Sequence, residues 1–262
     1  MAITKNKLKD IKSLSTKKGR KEKRQFLAEG VRLLEESLRH EYPPELVCFA
    51  PALISPRGKQ LIDSFENRQV PVIPLKAQQY RSISDTKTPQ GILGVFTTPR
   101  KELSELCRGG CRRVLLCDGV SDPGNLGTLM RSALAFGFET LVLTGTCSEP
   151  FAPKVVRSSA GAVFALGIAI LSARKVISWV RAEKMFVVAA DTTGDNSDQL
   201  PQGPLNRKRI VLALGSEASG LSQDIRERCD LRLRIPHAAA VESLNVAVAG
   251  SILMKKVYEL SQ

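Results

Sequence analysis

The chain's 262 residues suffice for one large domain or two smaller ones, and 43% hydrophobic with 25% charged residues is the composition of a folded soluble protein. Its longest uncharged apolar run, Gly161 to Leu171, is too short to span a bilayer, and the basic N-terminus has no apolar segment behind it, so neither a membrane span nor a secretory signal is expected. A net charge of +13 and a pI near 9.7 point to a polyanionic partner, with a solubility bias of the host proteome as the bland alternative.

In chain order, residues 1 to 24 come first. They hold Lys5, Lys7, Lys9, Lys12, Lys17, Lys18, Arg20, Lys21, Lys23 and Arg24 against Asp10 and Glu22 alone. A charge run is usually a solvated face, but Leu8, Ile11 and Leu14 recur at helical spacing, so a packed helix with a dense basic face is expected. Such a face suits phosphate contacts. Phe26 and Leu27 then make a short strand, Gly30 to His40 a helix, Leu46 to Phe49 a strand and Lys59 to Phe65 a helix. Val70 to Ile73 reads as a strand, Ala77 to Ile83 as a short helix and Ile92 to Phe96 as a strand. The alternation predicts a small α/β domain over 1–98, followed by a polar linker over 99–111.

The remaining stretch, 112–262, contains apolar runs with little alternation: Val114 to Cys117, Leu141 to Leu143, Phe186 to Ala190 and Ile210 to Leu214. Strands buried on both faces read this way, which predicts an α/β domain with a parallel sheet covered by helices. The helices are expected at Leu126 to Phe136, Val155 to Val163, Ala173 to Lys184, Gln223 to Cys229 and Leu244 to Leu260. Six cysteines (Cys48, Cys107, Cys111, Cys117, Cys147 and Cys229) form no CxxC pair, and the only histidines are His40 and His237. No metal site is expected from these spacings. The cysteines read as free thiols in a reducing cytoplasm.

The chain lacks the GxGxxG and Walker patterns, which disfavours a Rossmann-type nucleotide site. Three other turns stand out, each after a strand, where α/β sheets place their chemistry. The first is DGVSDPGNLGTLMRSALAFG from Asp118, carrying Asn125 and Arg131. The second is LALGSEASGL from Leu212, carrying Ser216 and Glu217. The third is IPHAAAVESLNVAVAG from Ile235, carrying Ser243 and Asn245. If they converge, they give one pocket with a cation, a carboxylate, amides and hydroxyls. Each residue also has an ordinary reading: Asn125 and Ser243 can cap helices, and Glu217 can pair with any nearby arginine. Spacing alone does not decide between these.

These three stretches closely resemble, in order and spacing, the signature motifs of the SpoU (TrmH-like) branch of the SPOUT RNA methyltransferases. The likeness covers roughly residues 112–262. SLSTKKGRKEKRQFLAEGVRLLEESL, from Ser13, resembles the small substrate-binding domain of many members, which has the fold of a kink-turn-binding ribosomal protein. The resemblance implies a C-terminal α/β domain with a deep trefoil knot, a rare exception to ordinary chain topology. It implies S-adenosylmethionine bound there by backbone around Leu214, Gly215, Ile235, Pro236 and Leu244. It further implies a homodimer with the site at the subunit interface and a ribose 2′-O-methyl product on structured RNA.

By the same resemblance, Asn125, Arg131, Glu217, Ser243 and Asn245 form the catalytic set. Arg131 would either act as an unusual base or orient the hydroxyl and its flanking phosphate, the second being the conservative role because arginine normally stays protonated. Ribosomal RNA is the favoured substrate and tRNA the alternative. A binding-only ribosome-assembly factor is the rival from another class, opposed by the retention of all five residues together. His237 stands where a methionine is usual and Ala239 where a glycine is common, which leaves the shape of the cofactor loop open.

Overall fold

The computed structural model describes residues 3–99, 103–106, 110–199, 209–238 and 240–260. Contacts divide the chain into two units. One comprises Met1–Pro99 with Glu149–Phe164, the other Arg100–Ser148 with Ala165–Gln262.

In the first unit the single basic helix expected over 1–24 is two helices, α1 (Lys5–Ser13) and α2 (Lys17–Lys23). The break follows from Thr16, whose side chain accepts from the Gly19 N–H and so starts a new helix. Next come β1 (Gln25–Glu29), α3 (Val31–Arg39), β2 (Leu46–Phe49), α4 (Pro56–Glu66), β3 (Val72–Pro74), α5 (Ala77–Arg81) and β4 (Ile92–Thr97). The strands form one sheet in the order β1-β4-β2-β3, with β4 antiparallel to both its neighbours and β2 parallel to β3. Successive side chains on β1 point to opposite faces. Leu27 joins Ile11, Leu14, Cys48, Tyr80 and Leu93 in one buried cluster. Phe26 turns the other way, stacked on Phe96 at 5.4 Å between ring centroids.

The chain continues through α6 (Leu103–Leu106), β5 (Arg113–Asp118), α7 (Pro123–Ala135), β6 (Thr140–Thr144), α8 (Pro153–Ser158) and α9 (Ala162–Ala165). It ends with β7 (Gly167–Ile170), α10 (Ala173–Ala182), β8 (Phe186–Asn196), β9 (Ile210–Gly215), α11 (Gln223–Arg226), β10 (Leu231–Arg234) and α12 (Val246–Leu260). Residues 149–164, inside the stretch read above as the second domain, pack with the first unit. Phe151 lies 4.9 Å from Phe26 and Phe164 4.9 Å from Phe96, so the outer face of the first sheet is closed by aromatic rings from this later segment. Arg20, expected on the phosphate-contacting face, is instead 6% exposed. Its guanidinium donates to Leu14 O and Ser15 O at 2.8 and 2.9 Å and to both carboxylate oxygens of Glu149 at 2.8 and 2.6 Å.

In the second unit six strands form an all-parallel sheet in the order β10-β8-β9-β5-β6-β7. The central strands β5, β6 and β9 are buried throughout or nearly so, as their unbroken apolar runs imply. The outermost strands β7 and β10 are absent from those runs. β10 reads Leu-Arg-Leu-Arg because only one face of this edge strand is covered: Leu233 is buried and Arg232 and Arg234 are exposed. β8 also runs six residues past its expected end. Arg232 pairs with Ala189 but the next residue, Leu233, pairs with Asp195, so the residues between, 190–194, make an excursion from the ladder. Gly194 permits it, since a Cβ there would lie 2.5 Å from the Arg232 carbonyl carbon. Cys48, Cys117, Cys147 and Cys229 are free thiols, but Cys111 is disulfide-bonded, which corrects the expectation of free cysteines at that position.

Candidate active site

Asp118 ends β5 as a carboxylate 6% exposed. Its Oδ2 accepts from the Ser222 N–H at 2.7 Å, and this pins the base of the loop after β9. That loop is closed on itself. Ser216 N–H donates to Gly220 O and Gly220 N–H returns to Ser216 O, at 3.0 and 2.9 Å. A Cβ on Gly215 would lie 2.1 Å from the Gly220 carbonyl carbon, so this close approach requires glycine. Glu217 rides on the loop.

The three turns converge on Glu217. Its Oε1 accepts from Asn125 Nδ2 at 3.0 Å and from Asn245 Nδ2 at 2.8 Å, and Asn245 Nδ2 also lies 3.1 Å from Asn125 Oδ1. The ordinary readings fail in an instructive way. α7 is capped by Asp122, whose Oδ1 accepts from the Asn125 N–H at 2.8 Å, which frees the Asn125 amide for Glu217. α12 is capped by Asn245 rather than Ser243, through Oδ1 bonds from Ala247 and Val248 N–H at 2.9 and 3.3 Å. One face of the Asn245 amide therefore caps a helix while the other holds the carboxylate.

Beside this cluster lies a cavity of about 460 Å³, a volume that suits a nucleoside-sized ligand. Four of the five expected cofactor residues, Leu214, Gly215, Ile235 and Leu244, line it, as do Glu217 and Ser243; Pro236 does not. Arg131 is exposed on α7 and is not among the lining residues. The arrangement of apolar Leu214, Ile235 and Leu244 around backbone and a few polar groups fits an amphipathic nucleoside such as S-adenosylmethionine. His237 lines the cavity with Nδ1 2.9 Å from its own loop's Ile235 O, so Nδ1 carries the proton of that bond and shapes the loop. Ala239 lies outside the described residues.

One wall was missed in the sequence reading. Ala190 to Thr193, in the excursion from β8, line the cavity together with Arg226. Burial pushes the Asp191 carboxyl up, but hydrogen bonds from Thr193 and the charges of Arg226 and Arg232 outweigh it and hold the group below the usual carboxylate range. The signal was available: polar residues from Asp191 onward follow the apolar strand at its carboxyl end, the rule applied to the first turn. Two cysteines nearby are not nucleophiles. Burial pushes both the Cys117 and Cys147 thiols up, and Cys147 Sγ donates to Cys117 O at 3.2 Å. Among the described residues, no group of three His, Cys, Asp or Glu side chains is placed to hold a metal ion.

A parallel sheet whose strand ends and turns build a ligand-sized cavity beside an amide–carboxylate cluster has the architecture of an α/β enzyme. Residues 112–255 match the SpoU rRNA Methylase family and residues 5–94 the MRM3-like substrate binding domain. The chain belongs to the SpoU rRNA methylase family. It is 33% identical over 249 residues to the 23S rRNA (guanosine(2553)-2′-O)-methyltransferase RlmP of Bacillus subtilis (strain 168), covering 95% of this chain and 94% of that protein. It is 27% identical to the 23S rRNA (uridine(2479)-2′-O)-methyltransferase of Streptomyces viridochromogenes, over 88% of this chain and 81% of that one. Among solved structures, the AdoMet-bound rRNA methyltransferase from Sinorhizobium meliloti matches with a TM-score of 0.86 and 29% identity, covering 99% of this chain and 96% of that one.

Proposed function

We propose that the protein is an S-adenosylmethionine-dependent RNA ribose 2′-O-methyltransferase that acts on ribosomal RNA. The observation that carries this reading is the meeting of Asn125, Glu217 and Asn245, from three separate turns, beside the cavity. The named relatives methylate ribose 2′-hydroxyls of 23S rRNA, and the solved relative binds AdoMet.

Bound S-adenosylmethionine supplies an electrophilic methyl group. Leu214, Gly215, Ile235 and Leu244 would hold it, and Ser243 lines the same cavity. Glu217 locks the two asparagine amides in one orientation, so that the ribose meets a fixed surface; such positioning accounts for much of the rate in a transfer between two bound molecules. Arg131 orients the 2′-hydroxyl and its flanking phosphate. In the transfer that such a donor would supply, the methyl's bond to sulfur would break as its bond to the 2′-oxygen forms, S-adenosylhomocysteine would be left, and the hydroxyl proton would pass to phosphate or water.

Arg131 does not line this chain's cavity, and the packed pair α7 and α12 leaves apolar side chains uncovered: Leu134, three residues on from Arg131, and Val248 and Ile252 on α12 are 36, 49 and 42% exposed. A second copy packed on that face would complete the site, which supports the homodimer reading. The trefoil knot and the division of labour between residues 1–98 and 112–262, joined by a linker at 99–111, belong to the same proposal, as does action in the cytoplasm.

The test is incubation with labelled S-adenosylmethionine and unmodified ribosomal RNA or tRNA, followed by mapping of the methylated nucleoside. Transfer to ribosomal RNA is expected. Transfer to tRNA alone would correct the substrate, and cofactor binding with no transfer to any RNA would favour a binding-only factor.

A further inference from the structure

Residues 5–24 carry ten basic side chains against Asp10 and Glu22, while residues 25–99 and 149–164 of the same unit carry ten bases against nine acids. The excess positive charge of this unit therefore sits on α1 and α2. These bases divide by role. Arg20 is turned inward onto Glu149. Lys23 pairs with Asp10 at 2.8 Å, and Lys18 lies 3.9 Å from Glu22. Lys5, Lys9 and Lys12 stand at i, i+4 and i+7 on one flank of α1, and Lys17 and Lys21 at i and i+4 on α2, all exposed. None of these five is in an ion pair with a carboxylate among the described residues, although, beside the Lys23 bond, the charge of Lys9 helps hold the Asp10 carboxyl below its usual range.

We propose that Lys5, Lys9, Lys12, Lys17 and Lys21 form a docking surface for the phosphate backbone of the RNA substrate, engaged without regard to base identity. The proposal rests on the RNA reading above and adds where on the first unit the backbone is held.

Folding does not account for this pattern. Like charges at i, i+4 destabilise the helix that carries them. Lys5 and Lys17 open their helices, where the helix dipole disfavours a cation, and neither helix has an acidic residue in its first turn. A bound polyanion reverses the sign of both effects. The platform is also built to hold its shape. A Cβ on Gly19 would lie 2.1 Å from Ser13 O, so the two helices meet closely, and the Arg20 fork ties the end of α1 to α2. A lipid surface fits poorly. The apolar residues Leu8, Ile11 and Leu14 are all packed into the core of the unit, which leaves no apolar face to enter a membrane interface.

The test uses the full chain, the variant K5Q/K9Q/K12Q/K17Q/K21Q and an unmodified ribosomal RNA fragment, with affinity measured from 50 to 200 mM salt. Each neutralised phosphate contributes about 0.7–0.9 to the slope of log affinity against log salt. With five lysines the variant's slope should be shallower by about 3.5–4.5, so that across this range wild-type affinity falls roughly 130- to 500-fold more than the variant's. Lysine-to-arginine changes at the same positions should retain the wild-type slope, and S-adenosylmethionine affinity by calorimetry should stay unchanged in both. An unchanged slope in the glutamine variant overturns the proposal. So does wild-type pelleting with phosphatidylserine vesicles that the glutamine variant loses while keeping its RNA affinity. A lysine-dependent slope without methyl transfer would keep the surface and remove the enzyme reading; transfer with an unchanged RNA KM in the glutamine variant would do the reverse.

Discussion

Glu149→Gln tests how the first unit is held together. Glu149 accepts two bonds from Arg20, at 2.6 and 2.8 Å, across 129 residues of sequence. The substitution removes the charge opposite a guanidinium whose side chain is 6% exposed, while Glu149 itself is 20% exposed. Removing one partner of a buried pair costs about 3–5 kcal/mol, because the remaining ion stays desolvated. Glu149 keeps some water contact and Arg20 keeps its two carbonyl acceptors, so the lower end, about 3 kcal/mol, is expected. For a unit of this size that is about 10 °C in Tm. The sole tryptophan, Trp179, lies in the other unit, so the direct readout is amide hydrogen exchange in α1, α2 and α8. Protection there should fall by about two orders of magnitude. Replacing both partners, Arg20→Met with Glu149→Met, should recover most of the loss, since an apolar pair of similar volume leaves no stranded charge. Exchange unchanged in Glu149→Gln, or a double variant as weak as the single, would refute the reasoning.

Arg131→Ala should abolish methyl transfer while calorimetry shows nearly unchanged cofactor binding; loss of binding would make Arg131 structural instead. Ile252→Asp should shift sedimentation from dimer to monomer and lower activity with it, and a monomeric wild type would remove the premise. Asn245→Ala loses both the α12 cap and a Glu217 bond; a destabilisation of about 1 kcal/mol in urea should accompany a far larger fall in kcat, and a proportionate change in both would reduce Asn245 to a cap. The lowered Asp191 carboxyl contributes stability that is present above its unfolded pKa and lost as pH falls through its lower folded value. The urea midpoint should therefore drop less between pH 5 and 3 in Asp191→Asn than in wild type, and parallel profiles would count against this.

The sheet order was not legible in the sequence, but the buried strands were. β5, β6 and β9 announce themselves because both faces are covered and their central residues, Val114 to Cys117, Leu141 to Leu143 and Ile210 to Leu214, are all apolar. β7 and β10 stay hidden because edges alternate or shorten. The three converging turns were legible from their polar residues after strands, and Glu217 at their centre was among them. What spacing could not give is the hydrogen-bond assignment: Asp122 takes the cap that Asn125 could have made, and Asn245 takes the one offered to Ser243. Composition likewise could not separate Arg20 from the lysines around it. Only its position opposite Glu149, far along the chain, distinguishes a clamp from a surface charge.

That distance bears on how the protein is made. The first unit cannot close when residues 1–99 leave the ribosome, because Phe151 and Phe164, which cover its outer sheet face, have yet to be translated. By then β5 and β6 of the other unit have already emerged. The two units are thus interleaved in synthesis, and the first can finish only after the second has begun to emerge, a delay to the usual N-terminal-first schedule. The long loops this closes should make folding slow, with an unfinished aromatic sheet face exposed in the interval as the point where a chaperone would act.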